Sequence, residues 1–226
     1  MTLEGQRIAI TGAFGSLGSA VVQAALAAGA KVAAIDRAAA PADLHGAHAI
    51  GGVDLADTAA AQTALDAAAR ALGGLDALVN IAGAFRFETL TDGGPDTWDF
   101  LYRVNLRTAV AASKAALAHL PDGGRIVNIG AAGALKAGAG MGAYAASKSG
   151  VMRFTESLAE ELKPRGITVN ALLPSIIDTP PNRKDMPKAD FGKWVKPSQL
   201  ADVIVFLLSD KASAITGALI PVVGRV

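Results

Sequence analysis

Residues 7–18 read Arg-Ile-Ala-Ile-Thr-Gly-Ala-Phe-Gly-Ser-Leu-Gly. A short apolar strand, residues 7–11, runs into a turn with glycines at 12, 15 and 18. An apolar helix follows to about Ala28, where Gly29 ends it. Glycine suits a place where the chain turns tightly and a phosphate must approach the backbone. The helix N-terminus beyond it offers N–H donors and a positive dipole end. Because the glycines lie between a strand and a helix, the spacing points to the phosphates of a dinucleotide rather than to an ordinary turn.

The next strand, Lys31 to Ile35, is closed by Asp36. A carboxylate at that place is suited to hydrogen-bond the adenosine ribose hydroxyls. It favours NAD(H), since a 2′-phosphate would be repelled. Arg37, the next residue, leaves NADP(H) open.

Further along, the pattern repeats. Residues 47–53, 75–81, 125–129, 167–173 and 219–223 read as strands, and 57–72, 95–120, 142–163 and 197–208 as helices. Strands alternating with helices require crossovers, which make the sheet parallel. The expected fold is α/β: a doubly wound parallel sheet of about seven strands with helices on both faces, in one domain spanning residues 1–226. Loops at 83–94 and 174–196 exceed ordinary connection lengths and are candidates for function. The second is expected to cover the substrate.

Composition narrows the class. Of the 226 residues 51% are hydrophobic and 18% charged, which suits a sheet buried on both faces. The net charge of +1 suggests no nucleic-acid partner. The absence of cysteine excludes disulfides, thiolate metal sites and cysteine nucleophiles. The uncharged run from Ile8 to Ala30 is long enough to span a bilayer, but its four glycines and polar residues fit a strand, turn and helix better. No membrane association and a cytoplasmic location are therefore expected.

Gly138 to Gly150, Gly-Ala-Gly-Met-Gly-Ala-Tyr-Ala-Ala-Ser-Lys-Ser-Gly, puts Tyr144 and Lys148 four residues apart at the start of an amphipathic helix. Positions i and i+4 share a helix face. An ammonium beside a phenol favours phenolate and lowers the phenol's pKa, which brings a proton donor or acceptor closer to neutral pH.

With these motifs in order, the chain resembles the short-chain dehydrogenase/reductase family, whose NAD(P)-binding domain is a Rossmann fold. The resemblance covers essentially the whole chain. Gly12, Phe14, Gly15, Ser16, Leu17 and Gly18 resemble its phosphate turn. Asp54, followed by Leu55, resembles its adenine-contacting aspartate. Asn80-Ile-Ala82-Gly83 looks like its Asn-Asn-Ala-Gly motif. Asn105 resembles the helix asparagine that supports the catalytic lysine through a water, and Tyr144 and Lys148 match the active-site pair, which also touches cofactor. Pro174, Ile177 and Thr179 fit the segment that carries nicotinamide contacts. The resemblance implies catalytic roles for Tyr144, Lys148 and Asn105, a small-molecule substrate, and assembly as a homodimer or homotetramer.

Three departures stand out. Ser16 occupies a position where the family usually has glycine, the middle glycine being shifted to Gly15. Ser175 replaces the usual glycine after Pro174. The catalytic serine belongs thirteen residues before the tyrosine, and that residue is Ala131. The first and third of these are shared with the dihydropteridine reductase branch, which the 178–194 segment also resembles. A serine at that place normally donates to a carbonyl oxygen as it becomes an alkoxide, so its loss weakens ordinary ketone reduction. A conjugated C=N substrate, such as a quinonoid dihydropteridine, needs no such donor. The expectation is an NAD(P)H-dependent oxidoreductase acting on a compound of that kind, with Tyr144 as proton donor. The alternatives are a carbonyl reductase or alcohol dehydrogenase lacking the serine, and a dinucleotide-binding regulator of weak activity. Ile177, Met186, Phe191 and Trp194 are expected to form an apolar lid, with Arg183, Lys184 and Lys188 available to an anionic substrate. Trp98, Phe100 and Tyr102 are assigned to packing or subunit contacts. His45 and His48 lack a clear third ligand for a metal, and none is expected.

Overall fold

The computed structural model describes residues 2–226. Its centre is a seven-stranded, all-parallel sheet of β1 (Arg7–Thr11), β2 (Lys31–Ile35), β3 (His48–Ile50), β4 (Ala77–Asn80), β5 (Arg125–Ile129), β6 (Thr168–Pro174) and β7 (Leu219–Val222). Their order across the sheet is β3-β2-β1-β4-β5-β6-β7. The order reverses between β1 and β4, and a crevice opens there beyond the carboxyl ends of the strands, the place where such sheets bind ligands.

Alternation along each strand divides the core into two layers. Ile8, Ile10, Ala77, Val79, Val127 and Ile129 face one side, against α1 (Ser16–Ala27) and α7 (Pro197–Leu208). Ala9, Leu78 and Ile126 face the other, against α2 (Thr58–Leu72), α4 (Thr108–Ala116) and α5 (Gly142–Leu162). A strand with both sides covered has no solvent face to keep polar, which accounts for the apolar composition. The alanine-rich α2 has its ends fixed by side chain and backbone. The Asp57 carboxylate accepts from the N–H groups of Ala59 and Ala60, and Gly73 ends the helix in the left-handed conformation.

Several expectations need correction. The helix from Pro95 is interrupted: α3 (Pro95–Leu101) passes into a π-helical turn, Tyr102–Arg107, before α4 begins. Apolar periodicity does not reveal a single turn widened by one residue. The 174–196 segment is not wholly irregular, since α6 (Pro180–Asp185) lies within it, capped by the Thr179 hydroxyl accepting from the Asn182 N–H. Trp194, expected in the lid, is only 5% exposed and packs against Phe191 with ring centroids 4.8 Å apart. Arg183, expected to be available to an anionic substrate, pairs with Asp178 at 2.5 and 2.8 Å. No helix among the described residues is long and apolar enough to cross a membrane.

Candidate active site

The three glycines of the turn meet different demands. Gly12 has φ +64°, and a Cβ there would lie 2.7 Å from the Ala82 nitrogen, because β1 and β4 are adjacent. A Cβ on Gly18 would collide with the Gly12 carbonyl oxygen, so α1 can pack onto the turn only without a side chain. Gly15 differs. It is the N-cap of α1, its φ of −76° suits any residue, and a Cβ would meet nothing closer than 3.6 Å. The protein itself does not require glycine at 15, but a phosphate group approaching the α1 N-terminus would.

Around this turn lies a cavity of about 580 Å³, lined by Gly12, Phe14, Gly15, Leu17, Gly18, Asp36, Arg37, Asp54, Leu55, Ala82 and Gly83 among others. Asp36 is held by the backbone: its carboxylate accepts from the N–H groups of Phe14 and Ala38, both at 3.0 Å. Asp54 accepts from the Ala56 N–H at 3.0 Å and pairs with Arg103 at 2.7 Å. The Arg103 guanidinium holds its carboxyl below the usual range.

Not every residue assigned to the cofactor lines this space. Asn80 is buried, and its amide donates to Ser113 Oγ at 3.0 Å and Asn128 Oδ1 at 2.9 Å, tying β4 to α4 and β5. Thr179 caps α6, and neither Thr179 nor Ser16 is part of the lining of this cavity. Conversely, Phe100, Arg103 and Val104 do line the cavity: Phe100 is assigned from sequence to packing or subunit contacts, and no local pattern singles out the other two. They come from α3 and the π-helical turn, and the Arg86 guanidinium sits 3.8 Å over the Phe100 ring.

A second cavity, of about 840 Å³, shares Leu17, Ile81, Gly83 and Ala84 with the first. The two form one cleft along the crevice. Tyr144, Lys148, Ala131, Pro174, Ile177 and Met186 line the second part. Phe85 and Phe87, from the long 83–94 loop, complete its wall, and the Phe85 ring meets Tyr144 edge-on with centroids 4.9 Å apart. The loop's excess length was the available signal for these two residues.

Lys148 is buried, and its ammonium donates to the Ile129 carbonyl at 2.8 Å. Asn105, on the π-helical turn, donates to the Ala84 carbonyl at 3.0 Å and to Ser147 Oγ at 2.9 Å, and accepts from the Ala84 N–H at 2.8 Å. Its bonds therefore fix the backbone beside Gly83. A Cβ on Gly83 would come within 2.6 Å of Asn105 Oδ1 and 3.3 Å of Lys148 Nζ, so all three converge on one point. No bond joins Lys148 to the Tyr144 hydroxyl.

Burial sets the proton states. It pushes the Tyr144 phenol up from 10.0 to about 12, the reverse of the shift expected from a neighbouring ammonium. It pushes Lys148 down from 10.5 to about 8. A low-polarity surrounding disfavours the charged form of both groups. Tyr144 therefore carries its proton at neutral pH, and the same burial makes it a weaker acid than a free phenol.

These shifts make stability depend on pH. Between about 8 and 10.5 the unfolded chain holds more of the Lys148 proton than the native one, so the penalty for burying this lysine is full below pH 8 and is relieved as pH rises. Tyr144 acts oppositely: its contribution is present below pH 10.0 and lost toward 12. Denaturant unfolding of wild type and Lys148→Met is expected to show the variant's advantage at pH 7.5 shrinking by pH 9.5. A constant difference would count against a buried, charge-averse lysine.

The family described as enoyl-(acyl carrier protein) reductase matches residues 12–224. The chain is 35% identical to 2-(S)-hydroxypropyl-CoM dehydrogenase 3 of Xanthobacter autotrophicus, over 98% of this chain and 96% of that protein. A short-chain dehydrogenase/reductase from Serratia marcescens BCRC 10948 superposes with a TM-score of 0.91 at 33% identity, covering 100% of this chain and 99% of that one. A short-chain dehydrogenase from Burkholderia cenocepacia J2315, solved in complex with NADP, gives 0.86 at 34% identity, covering 99% and 98%.

Proposed function

Because the chain belongs to the short-chain dehydrogenase/reductase family, we propose that it is a nicotinamide-dependent reductase of a small, largely apolar organic compound. The observation that carries this is the joining of the two cavities at Gly83 and Ala84, beside Tyr144 and Lys148. The phosphate turn, Asp36, Arg37, Asp54 and Leu55 would hold the dinucleotide at one end of the cleft. Gly83, Lys148, Pro174 and Ile177 would hold it at the other.

When bound, the reduced nicotinamide supplies a hydride. The protein's part is to place the substrate's unsaturated carbon toward that end of the cleft and to protonate the heteroatom bonded to it. Tyr144 Oη is the donor: its O–H bond breaks as the new O–H or N–H bond forms, and the proton is regained from solvent. Lys148 would orient the cofactor's ribose and offset charge left on Tyr144. Asn105 would position the backbone at Ala84 and, through it, the cavity wall. Phe85 and Phe87 would exclude water.

Ala131 bears on the substrate. It is 5% exposed and lines the cavity, so a methyl group stands where a hydroxyl would donate to a developing alkoxide. A conjugated C=N or quinonoid substrate, for example a dihydropteridine-like compound, makes the least demand on that missing donor. The names of relatives favour a second reading, an alcohol dehydrogenase or carbonyl reductase without serine. Asp36 supports NAD(H) as cofactor, while the Burkholderia relative's NADP makes NADP(H) the competing outcome.

Fluorescence titration with NADH and NADPH, followed by cofactor oxidation with quinonoid dihydropterin, quinones and ketones, tests the whole reading. NADH is expected to bind about tenfold or more tightly than NADPH. Tight cofactor binding without turnover of any acceptor would defeat the reductase assignment. Ala131→Ser is expected to raise kcat on simple ketones by about tenfold or more if the absent donor limits them. An unchanged kcat would remove Ala131 from the account of specificity. Light scattering reads the assembly, for which Trp98, Tyr102 and Val110 offer exposed apolar surface.

A further inference from the structure

The substrate cavity has a polar side that hydride transfer leaves unused, and α6 carries most of it. The Asn182 amide donates to the Ile177 carbonyl at 2.8 Å, which turns its nitrogen to the backbone and leaves Oδ1 without a donor among the described residues. Asp185 lies one turn on and lines the same cavity. Its carboxylate forms no hydrogen bond or ion pair among the described residues. The Ser175 hydroxyl donates to the Val223 carbonyl at 2.7 Å, so toward the cavity it can only accept. Apart from the second N–H of the Asn182 amide, the side-chain hydrogen-bonding capacity left free beside α6 is acceptor capacity.

The other side-chain donors lining this cavity are the Tyr144 hydroxyl and the Lys148 ammonium, the latter bonded to the Ile129 carbonyl. The cations nearest to α6 do not change this balance. Arg183 is paired with Asp178 and covers the Phe191 ring at 4.9 Å, and neither Lys184 nor Lys188 lines the cavity. A ligand carboxylate placed against α6 would meet like charge and unpaired lone pairs. A protonated amine there would gain a charge-assisted hydrogen bond.

We infer that the cavity takes an apolar, unsaturated substrate bearing, against α6, a protonated amine or an equivalent N–H donor group, with Asp185 and Asn182 setting that preference. This rests on the reductase reading above. The amine takes no part in the bond changes, which remain hydride to carbon and the Tyr144 proton to the heteroatom.

Three compounds of one skeleton test it: acetophenone, 4-(aminomethyl)acetophenone and 4-acetylbenzoate. Their binding is measured calorimetrically on the protein saturated with NAD⁺, and their turnover separately with NADH. The amine is expected to bind at least about threefold more tightly than acetophenone, and the carboxylate more weakly than either. Asp185→Asn is expected to collapse the amine-to-carboxylate ratio of dissociation constants, and Asp185→Lys to invert it. Asp185 is exposed and unbonded, so neither change removes a contact that the fold uses. The inference is overturned if the carboxylate binds as well as the amine, if both variants keep the wild-type ratio, or if none of the three binds. Binding in the expected order, with no turnover of these ketones or of the quinonoid dihydropterin and quinone acceptors named above, would defeat the reductase reading and leave the cavity's preference standing. Turnover with no preference between the charges would do the reverse.

Discussion

Tyr144→Phe is expected to lower kcat on the best acceptor by about 10²- to 10⁴-fold while leaving dinucleotide affinity within a few-fold of wild type. The variant keeps the ring that Phe85 contacts edge-on and loses only the hydroxyl group. Tyr144 is the one phenol lining the substrate cavity, and burial keeps it protonated to about pH 12. Lys148, the other donor there, is bonded to the Ile129 carbonyl. Steady-state kinetics with NADH, together with fluorescence titration of the same preparation, separate the two effects. Unchanged turnover would remove Tyr144 from proton delivery and with it the mechanism proposed.

Gly18→Ala and Gly15→Ala are expected to fail in opposite ways. At 18 the added methyl collides with the Gly12 carbonyl oxygen and the Ala13 backbone, neither of which can rotate aside. The expected cost is about 3 kcal/mol or more. That corresponds to a melting temperature roughly 6–12 °C lower. At 15 the methyl has space, and stability should stay within about 1 kcal/mol of wild type. Dinucleotide affinity should nonetheless fall by about tenfold or more, since the methyl stands where the pyrophosphate must approach. Thermal unfolding and NADH titration on both variants check the pair. A Gly15→Ala protein that binds NADH as tightly as wild type would show that the phosphates do not lie over this turn.

Much of the fold was legible because it rests on local rules. Period-two and period-3.6 apolar patterns, Asp57 at a helix start, and glycines at helix ends each act within a few residues. Departures came where neighbours override local preference. The π-helical turn at 102–107 occurs where Asn105 bonds to Ala84 and Ser147, far away in sequence. Trp194 is expected in the lid from its place in the 174–196 segment, but its surroundings place it in the core. Asn80 matched a motif, yet its side chain serves the junction of β4, β5 and α4.

The sequence by itself determined the parallel α/β sheet, the phosphate turn, Asp36 at the end of β2, the Tyr144–Lys148 pair and the missing hydroxyl at 131. Each follows from residue type and short-range spacing. Only the tertiary structure decided that two cavities join beside Gly83 and that Arg103 faces Asp54. It alone set burial against the ammonium in fixing the Tyr144 proton, and put Asn182 and Asp185 of α6, not Lys184, on the lining of the second cavity. These depend on which groups meet across the sheet's crevice and on how much water is excluded there. Packing among distant segments sets both, and local pattern does not encode them.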